Sequence, residues 1–369
     1  MTSNLQDLFI NLIRLGIGHD SNVQPKYVDW PQLKALADKQ GLSAVVLDAL
    51  NSGGGDLSST MPVQMKLEWI GEVLQNYEAR YAQYEKAISS LAVWHNQHGF
   101  KMMVLKGYAC SLNWPKPEHR PCGDIDIWQF GEQKAADAAL VNCFKLQDSS
   151  FKIDTSHHYH TVFEWQGFTV ENHYDFVNVH AHKSSKEVEG VFKKLGQDDS
   201  YCIEVKGENV YLPSPNLHAF FMIRHMASHF ASAEITLRQV LDWAFFVEKH
   251  TKKIDWKWID EQLEKYHMKD FFNCINAICV GDLGFKVKIF PNVQFDPSMK
   301  DKVLSDIISP EYLAAEPRRF IKKMAYKYRR WKGNAWKQKM CYDESRLSAF
   351  LRGVWAHLLK PECNESVRD

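Results

Sequence analysis

The sequence predicts an α+β fold in which a small mixed β-sheet core is flanked by N-terminal and C-terminal helical regions. Three observations carry that prediction. Helical periodicity dominates the chain up to about residue 97, short β-prone runs separated by turn formers fill the middle, and helical patterning returns from Asn216 onward. The corresponding division is 1–97 for an N-terminal helical region, 98–213 for the α/β core and 214–369 for a C-terminal helical domain. A chain of 369 residues has room for two or three such domains. With 45% apolar and 13% aromatic residues, 12 of them Trp, it can fill their interiors with large side chains.

Each element has a local cause. Leu5, Leu8, Phe9, Leu12 and Ile13 form a helical stripe over residues 5–15. Asp29-Trp30-Pro31 opens a second helix, with Asp29 as cap and Pro31 in the first turn, and it carries Leu33, Leu36 and Ala37 towards Gly41. Turn formers from Asn51 to Asp56 predict a loop. A long helix is predicted from Pro62 to Asn96, interrupted by nothing stronger than Gly71.

After Gly99 the texture changes. Met102-Met103-Val104-Leu105 reads as a short buried strand, Tyr108 to Trp114 as a helix, Asp124 to Trp128 as a strand, and 133–145 as another helix. Residues 161–165 and 168–173 are β-prone runs joined only by Gln166-Gly167, the signature of a tight hairpin.

Composition limits the function classes. Basic and acidic residues number 45 each, so net charge argues for no particular polyanionic partner and mildly against a polymerase gripping long duplex. The first residues lack a basic segment followed by an apolar core, and no run approaches 18 apolar residues, so neither a secretory signal nor a transmembrane helix is expected. The eight cysteines show no Cys-x-x-Cys pairing and read as free thiols, which fits a cytoplasmic protein. Cys274 and Cys279 fit packing better than metal binding.

The chemistry concentrates in Gly123-Asp124-Ile125-Asp126-Ile127. Carboxylates two apart on a strand share a face, while the isoleucines anchor the opposite face in the core. Adjacent carboxylates repel unless a cation or a proton lies between them. A hard divalent ion such as Mg²⁺ prefers such oxygen ligands, and two of them about 3.5–4 Å apart can serve phosphoryl-type displacement. Both aspartates are expected at exposed strand ends, replaceable by Asn without loss of fold. A solvated strand face is the alternative for an isolated Asp-x-Asp, and context weighs against it. Leu105-Lys106-Gly107 lies upstream between a strand and a helix, where backbone N–H groups can hold phosphate. Glu171 sits on a later strand, sharing a face with Thr169 and His173.

Val104-Leu105-Lys106-Gly107 followed by Arg120-Pro121-Cys122-Gly123-Asp124-Ile125-Asp126-Ile127, with Glu171-Asn172-His173 downstream, resembles the signature of the uncharacterised nucleotidyltransferase family within the DNA polymerase β-like superfamily. Asp29-Trp30 through Gly41-Leu42 and Leu237-Arg238 through Asp242-Trp243 resemble its flanking helical segments, so the resemblance spans roughly residues 5–250. It departs from the wider superfamily in having Lys106-Gly107 where Gly-Ser or Gly-Gly is usual, and in a long interval to Asp124.

The resemblance implies a metal-dependent enzyme moving a nucleoside monophosphate from an NTP such as ATP to an acceptor hydroxyl on a protein, a small molecule or an RNA end. Asp124, Asp126 and Glu171 would be catalytic and hold Mg²⁺ or Mn²⁺. Lys106, Gly107, Arg120, Gly123 and His173 would contact the nucleotide. A catalytically silent binding module on the same fold is the competing reading, and the intact carboxylate triad favours activity.

Other residues carry two readings each. Lys106 is a phosphate contact or a surface lysine, Arg120 a triphosphate clamp or a carboxylate partner, and His173 a Glu171 or substrate contact or a structural histidine. His157, His158 and His160 precede the hairpin as a group; a partly exposed strand end accounts for them more simply than metal or substrate contact. His225 and His229 have zinc-like spacing without His-Glu-x-x-His, so packing or substrate contact is preferred. From Arg318 to Lys339, ten Lys or Arg residues and no acid are interleaved with aromatics. That pattern suits a solvated helix or an anionic partner, testable at Arg329, Arg330 and Lys332.

Overall fold

The computed structural model describes residues 3–21, 27–52, 55–145, 151–291, 294–310 and 320–359. Its α+β architecture agrees with the sequence: helices precede and follow the strands of one six-stranded mixed sheet. The chain forms two compact units, one from residues 1–76, 223–251 and 256–343, the other from 77–222, 252–255 and 344–369.

The described residues of the first unit form helices and no strand. Helix Ser3–Gly16 buries Leu8, Phe9, Leu12 and Ile13, the predicted stripe. It runs close against helix Ser43–Ser52: a Cβ on Gly16 would fall 2.1 Å from the Val45 carbonyl oxygen, so no larger residue fits. Helix Trp30–Gln40 starts at Asp29, whose carboxylate accepts from the Gln32 backbone N–H, and stops at Gly41 in the left-handed region at φ 67°. The loop expected over 51–56 is shorter than predicted. Helix Ser43–Ser52 runs into it and helix Gly55–Ser59 follows, while residues 53 and 54 lie outside the described residues. Buried Gln40 ties two further helices to this layer, donating to the Ile307 carbonyl at 2.9 Å and accepting the Leu237 N–H at 2.8 Å.

The predicted helix over 62–96 forms as Val63–Val73, a π-helical stretch Leu74–Ala79, and Arg80–Gln97. The last of these packs on the sheet of the second unit. Its residues Tyr81, Tyr84, Ile88 and Leu91 recur at helical spacing and meet Val104, Ile125, Ile127, Phe168 and Val170 in one buried cluster.

The strands are β1 Met103–Val104, β2 Ile125–Trp128, β3 His160–Trp165, β4 Phe168–His173, β5 Cys202–Val205 and β6 Glu208–Tyr211, in spatial order β3-β4-β2-β1-β6-β5. β2 pairs in parallel with β4, and Asp126 lies directly opposite Glu171. β3 and β4 form the predicted hairpin, with Gln166 at φ 49° and Gly167 at φ 80°. Two successive positive φ values match the twist of the flanking strands. A second hairpin, β5–β6, turns the same way on Lys206 and Gly207, at φ 50° and 90°, and was not among the sequence expectations. The helix expected over 108–114 is Lys106–Ser111, and the one over 133–145 is Gln133–Phe144. No helix among the described residues is long and apolar enough to cross a membrane.

Candidate functional site

The site is built on the middle of the sheet, where β2 and β4 run side by side. Alternation along β2 sends Ile125 and Ile127 into the helix-covered core and turns Asp126 to the other face. Glu171 projects from the paired position of β4, and His173 follows two residues later on the same face. Two predicted carboxylates and the predicted histidine therefore meet: His173 Nε2 is 3.1 Å from Asp126 Oδ1 and 3.6 Å from Glu171 Oε2.

Lys106 closes the group from the turn after β1. The Leu105 N–H donates to the Asp126 carbonyl at 2.9 Å, which fixes the turn against β2. Lys106 then takes a positive φ of 32° and its Nζ reaches Asp126 Oδ1 at 2.8 Å. It is a half-buried ion-pair partner, not a surface lysine. Gly107 is required beside it, since a Cβ there would lie 2.7 Å from the Tyr84 hydroxyl oxygen. That hydroxyl donates to the Asp124 carbonyl at 2.8 Å and so holds the entry to β2 in place.

The two aspartates differ. Asp124 is exposed as expected, and its carboxylate has no hydrogen bond or ion pair among the described residues. Asp126 is 7% exposed and paired, which corrects the expectation that both sit at exposed strand ends. The cause is position: Asp124 precedes β2, whereas Asp126 lies within it, in reach of Lys106 and His173.

Electrostatics follow from this packing. Burial works against an ionised Asp126, but Lys106 and His173 outweigh it and hold its pKa well below the usual carboxylate range. Lys106 likewise overcomes its burial through Asp126 and Glu171 and stays charged. Asp124 is pushed up, by burial and then by the like charges of Glu171 and Asp126. His173 is raised because its bonds to Asp126 and Glu171 exceed its desolvation, whereas His160 is lowered to about 2 by burial and by the neighbouring His173.

The other predicted contacts are spread around this centre. Gly123 is exposed just before β2. Arg120 is buried and donates to the Pro121 carbonyl at 3.3 Å.

His160 is the residue the sequence reading undervalued. It is not a partly exposed strand end: it is 1% exposed, opposite His173 in the hairpin register, with Nδ1 3.9 Å from Glu171 Oε2. The period-2 alternation of the hairpin already placed it on the Glu171 face. Tyr84 carried no such signal, because its role depends on helix Arg80–Gln97 lying against the sheet.

Among the other residues the sequence singles out, His225 and His229 stack edge to face at 4.3 Å, and Cys274 and Cys279 are buried. Within 318–339, Arg318 and Arg319 lie outside the described residues. Lys337 is buried in an ion pair with Asp306, and Arg330 donates to the Ser232 carbonyl, so both serve the fold. Lys327, Arg329, Lys332 and Lys339 are exposed.

The residues present fit a hard divalent cation. Asp124, Asp126 and Glu171 offer oxygen ligands, and the mutual repulsion that raises Asp124 is what such an ion would relieve.

Comparison with known proteins yields two matches. A family model described as an uncharacterised nucleotidyltransferase matches residues 26–280. Among solved structures, the chain is similar to an antigenic nucleotidyltransferase-like protein from Paracoccidioides brasiliensis, at 13% identity and a TM-score of 0.33, over 46% of this chain and 77% of that one. No curated protein matches the sequence.

Proposed function

The chain belongs to the uncharacterised nucleotidyltransferase family, and from that premise we propose that it transfers a nucleoside monophosphate from an NTP to an acceptor hydroxyl with the help of Mg²⁺ or Mn²⁺. The observation that carries this reading is the parallel register of β2 and β4, which sets Glu171 opposite Asp126, with Asp124 under the like charge of both. Two carboxylates on paired strands, with a third immediately before β2, are a ligand set suited to nucleotidyl transfer.

In the proposed reaction the acceptor oxygen forms a bond to the α-phosphorus while the bond to the α–β bridging oxygen breaks, releasing pyrophosphate. Glu171 takes the acceptor proton. Asp124, with no other partner among the described residues, and Asp126 would hold the cation, which would neutralise charge on the phosphates. Lys106 has two acceptors in reach of its role, Asp126 at rest and a phosphate oxygen once nucleotide is bound. Gly123 leaves open backbone beside Asp124, Gly107 lets the Lys106 turn close against Tyr84, and Arg120 and His173 hydrogen-bond the backbone at Pro121 and Asp175.

The Lys106–Asp126 pair also supports a second reading, a silent nucleotide-binding module in which lysine substitutes for the cation. One experiment separates them. The protein is incubated with each labelled NTP and Mg²⁺ or Mn²⁺, and pyrophosphate release and label transfer, self-labelling included, are measured. Transfer that disappears in Asp124→Asn supports the enzyme. Nucleotide binding without pyrophosphate release under any NTP and acceptor pool supports the module instead.

A further inference from the structure

His160, Glu171 and His173 converge beside the paired aspartates in a way that nucleotidyl transfer alone does not require. One ligand atom from each lies within 4.8 Å of the others. The His160 side chain is 2% exposed, and neither of its ring nitrogens has a hydrogen-bond partner among the described residues. Leaving a buried polar group unpaired costs on the order of 1–3 kcal/mol, so an imidazole held in this state calls for a ligand.

His173 faces the same group from the paired strand. Its Nδ1 faces the Asp175 carbonyl at 3.1 Å. A carbonyl only accepts, so Nδ1 carries the hydrogen. His173 Nε2 faces the carboxylate oxygens of Asp126 and Glu171, at 3.1 and 3.6 Å. Either a proton on Nε2 or a cation in its place satisfies that contact. An imidazole whose far N–H is bound to a backbone carbonyl is also the usual outer support of a metal-ligating histidine. Lys106 takes up Asp126, which leaves Glu171 as the carboxylate of the group.

We propose that His160, Glu171 and His173 form a subsite for a transition-series divalent cation of the Mn²⁺, Co²⁺ or Zn²⁺ class, separate from the all-oxygen position at Asp124 and Asp126. Two imidazoles and one carboxylate suit these ions, whereas Mg²⁺ prefers oxygen ligands and retains its waters. The subsite shares Glu171 with the proposed transfer chemistry, so it is tested with no nucleotide present, and its failure leaves that reading standing.

The test uses the full chain, freed of metal with EDTA, desalted, and titrated with Co²⁺ alone. Binding is followed by calorimetry and by the visible d–d absorption that reports nitrogen ligands. The expected result is a nitrogen-ligated Co²⁺ that equimolar Mg²⁺ does not displace. His160→Gln should weaken this binding by at least about 10-fold, and added imidazole should restore it in His160→Gly. Displacement of Co²⁺ by equimolar Mg²⁺, a folded His160→Gln that binds Co²⁺ as tightly as the wild type, or no rescue by imidazole would each overturn the proposal. Should the His160 variants fail to fold, the wild-type spectrum and its Mg²⁺ competition decide alone.

Discussion

Replacing each aspartate of the Asp-x-Asp pair by Asn should separate the two sharply in stability. Asp126 and Lys106 form a pair whose side chains are 10% and 19% exposed, at 2.8 Å. Removing one partner of a buried pair costs about 3–5 kcal/mol, because the surviving charge keeps its desolvation penalty. The amide introduced by Asp126→Asn retains an oxygen acceptor, and Glu171 still acts on Lys106, so this substitution should cost about 3 kcal/mol, the low end of that range. Asp124 has no ion pair to lose among the described residues and is pushed up by burial and its like-charged neighbours, so Asp124→Asn should fall within about 0.5 kcal/mol of the wild type. Adding Lys106→Met to Asp126→Asn removes the stranded ammonium and should recover part of the loss, a coupling of about 1–3 kcal/mol. The assay is urea unfolding in EDTA, followed by tryptophan fluorescence, with the midpoint shift multiplied by a shared slope. Equal midpoints for the two Asn variants, or a Lys106→Met cost that adds in full to that of Asp126→Asn, would refute the argument. The same contrast makes Asp124→Asn the cleaner probe of activity.

Two other perturbations follow from single contacts. Gly107→Ala drives a methyl group to 2.7 Å from the Tyr84 hydroxyl, and should destabilise by about 1–3 kcal/mol. The denaturation midpoint should rise again when Tyr84→Phe removes that hydroxyl; a further fall would show that the clash lies elsewhere. Glu189 is buried, accepts the Phe176 and Val177 N–H groups at 2.9 and 3.0 Å, and is raised from 4.5 to about 7 by desolvation and then by Asp175. Between those two values the folded chain keeps a proton that the unfolded chain has lost, so stability should fall as pH rises through this window, by up to about 3 kcal/mol. Glu189→Gln keeps the acceptor oxygen without the charge, and its stability measured from pH 4 to 8 should be flatter than the wild type's; parallel curves would exclude Glu189 as the source.

What the sequence determined on its own was local. Asp29 and Gly41 bound their helix because a carboxylate caps and a glycine accepts positive φ wherever they stand. Gln166-Gly167 forced the β3–β4 hairpin for a similar reason, and period-2 alternation alone put Glu171 and His173 on one face. The turn at Lys206-Gly207 obeys the same rule, with positive φ at both residues.

Tertiary structure decided everything that required two distant segments to meet. No periodicity states that β4 lies beside β2, that Lys106 reaches Asp126, or that the Tyr84 hydroxyl holds the Asp124 carbonyl. These contacts join residues 20 to 47 positions apart, counting His173 with Asp126, and only long-range strand pairing and helix burial bring them together. The same packing made Asp126 a buried ion-pair member while leaving Asp124 in solvent, although the two are identical side chains two residues apart. Side-chain type is written in the sequence, but charge state and exposure belong to the neighbours that folding supplies.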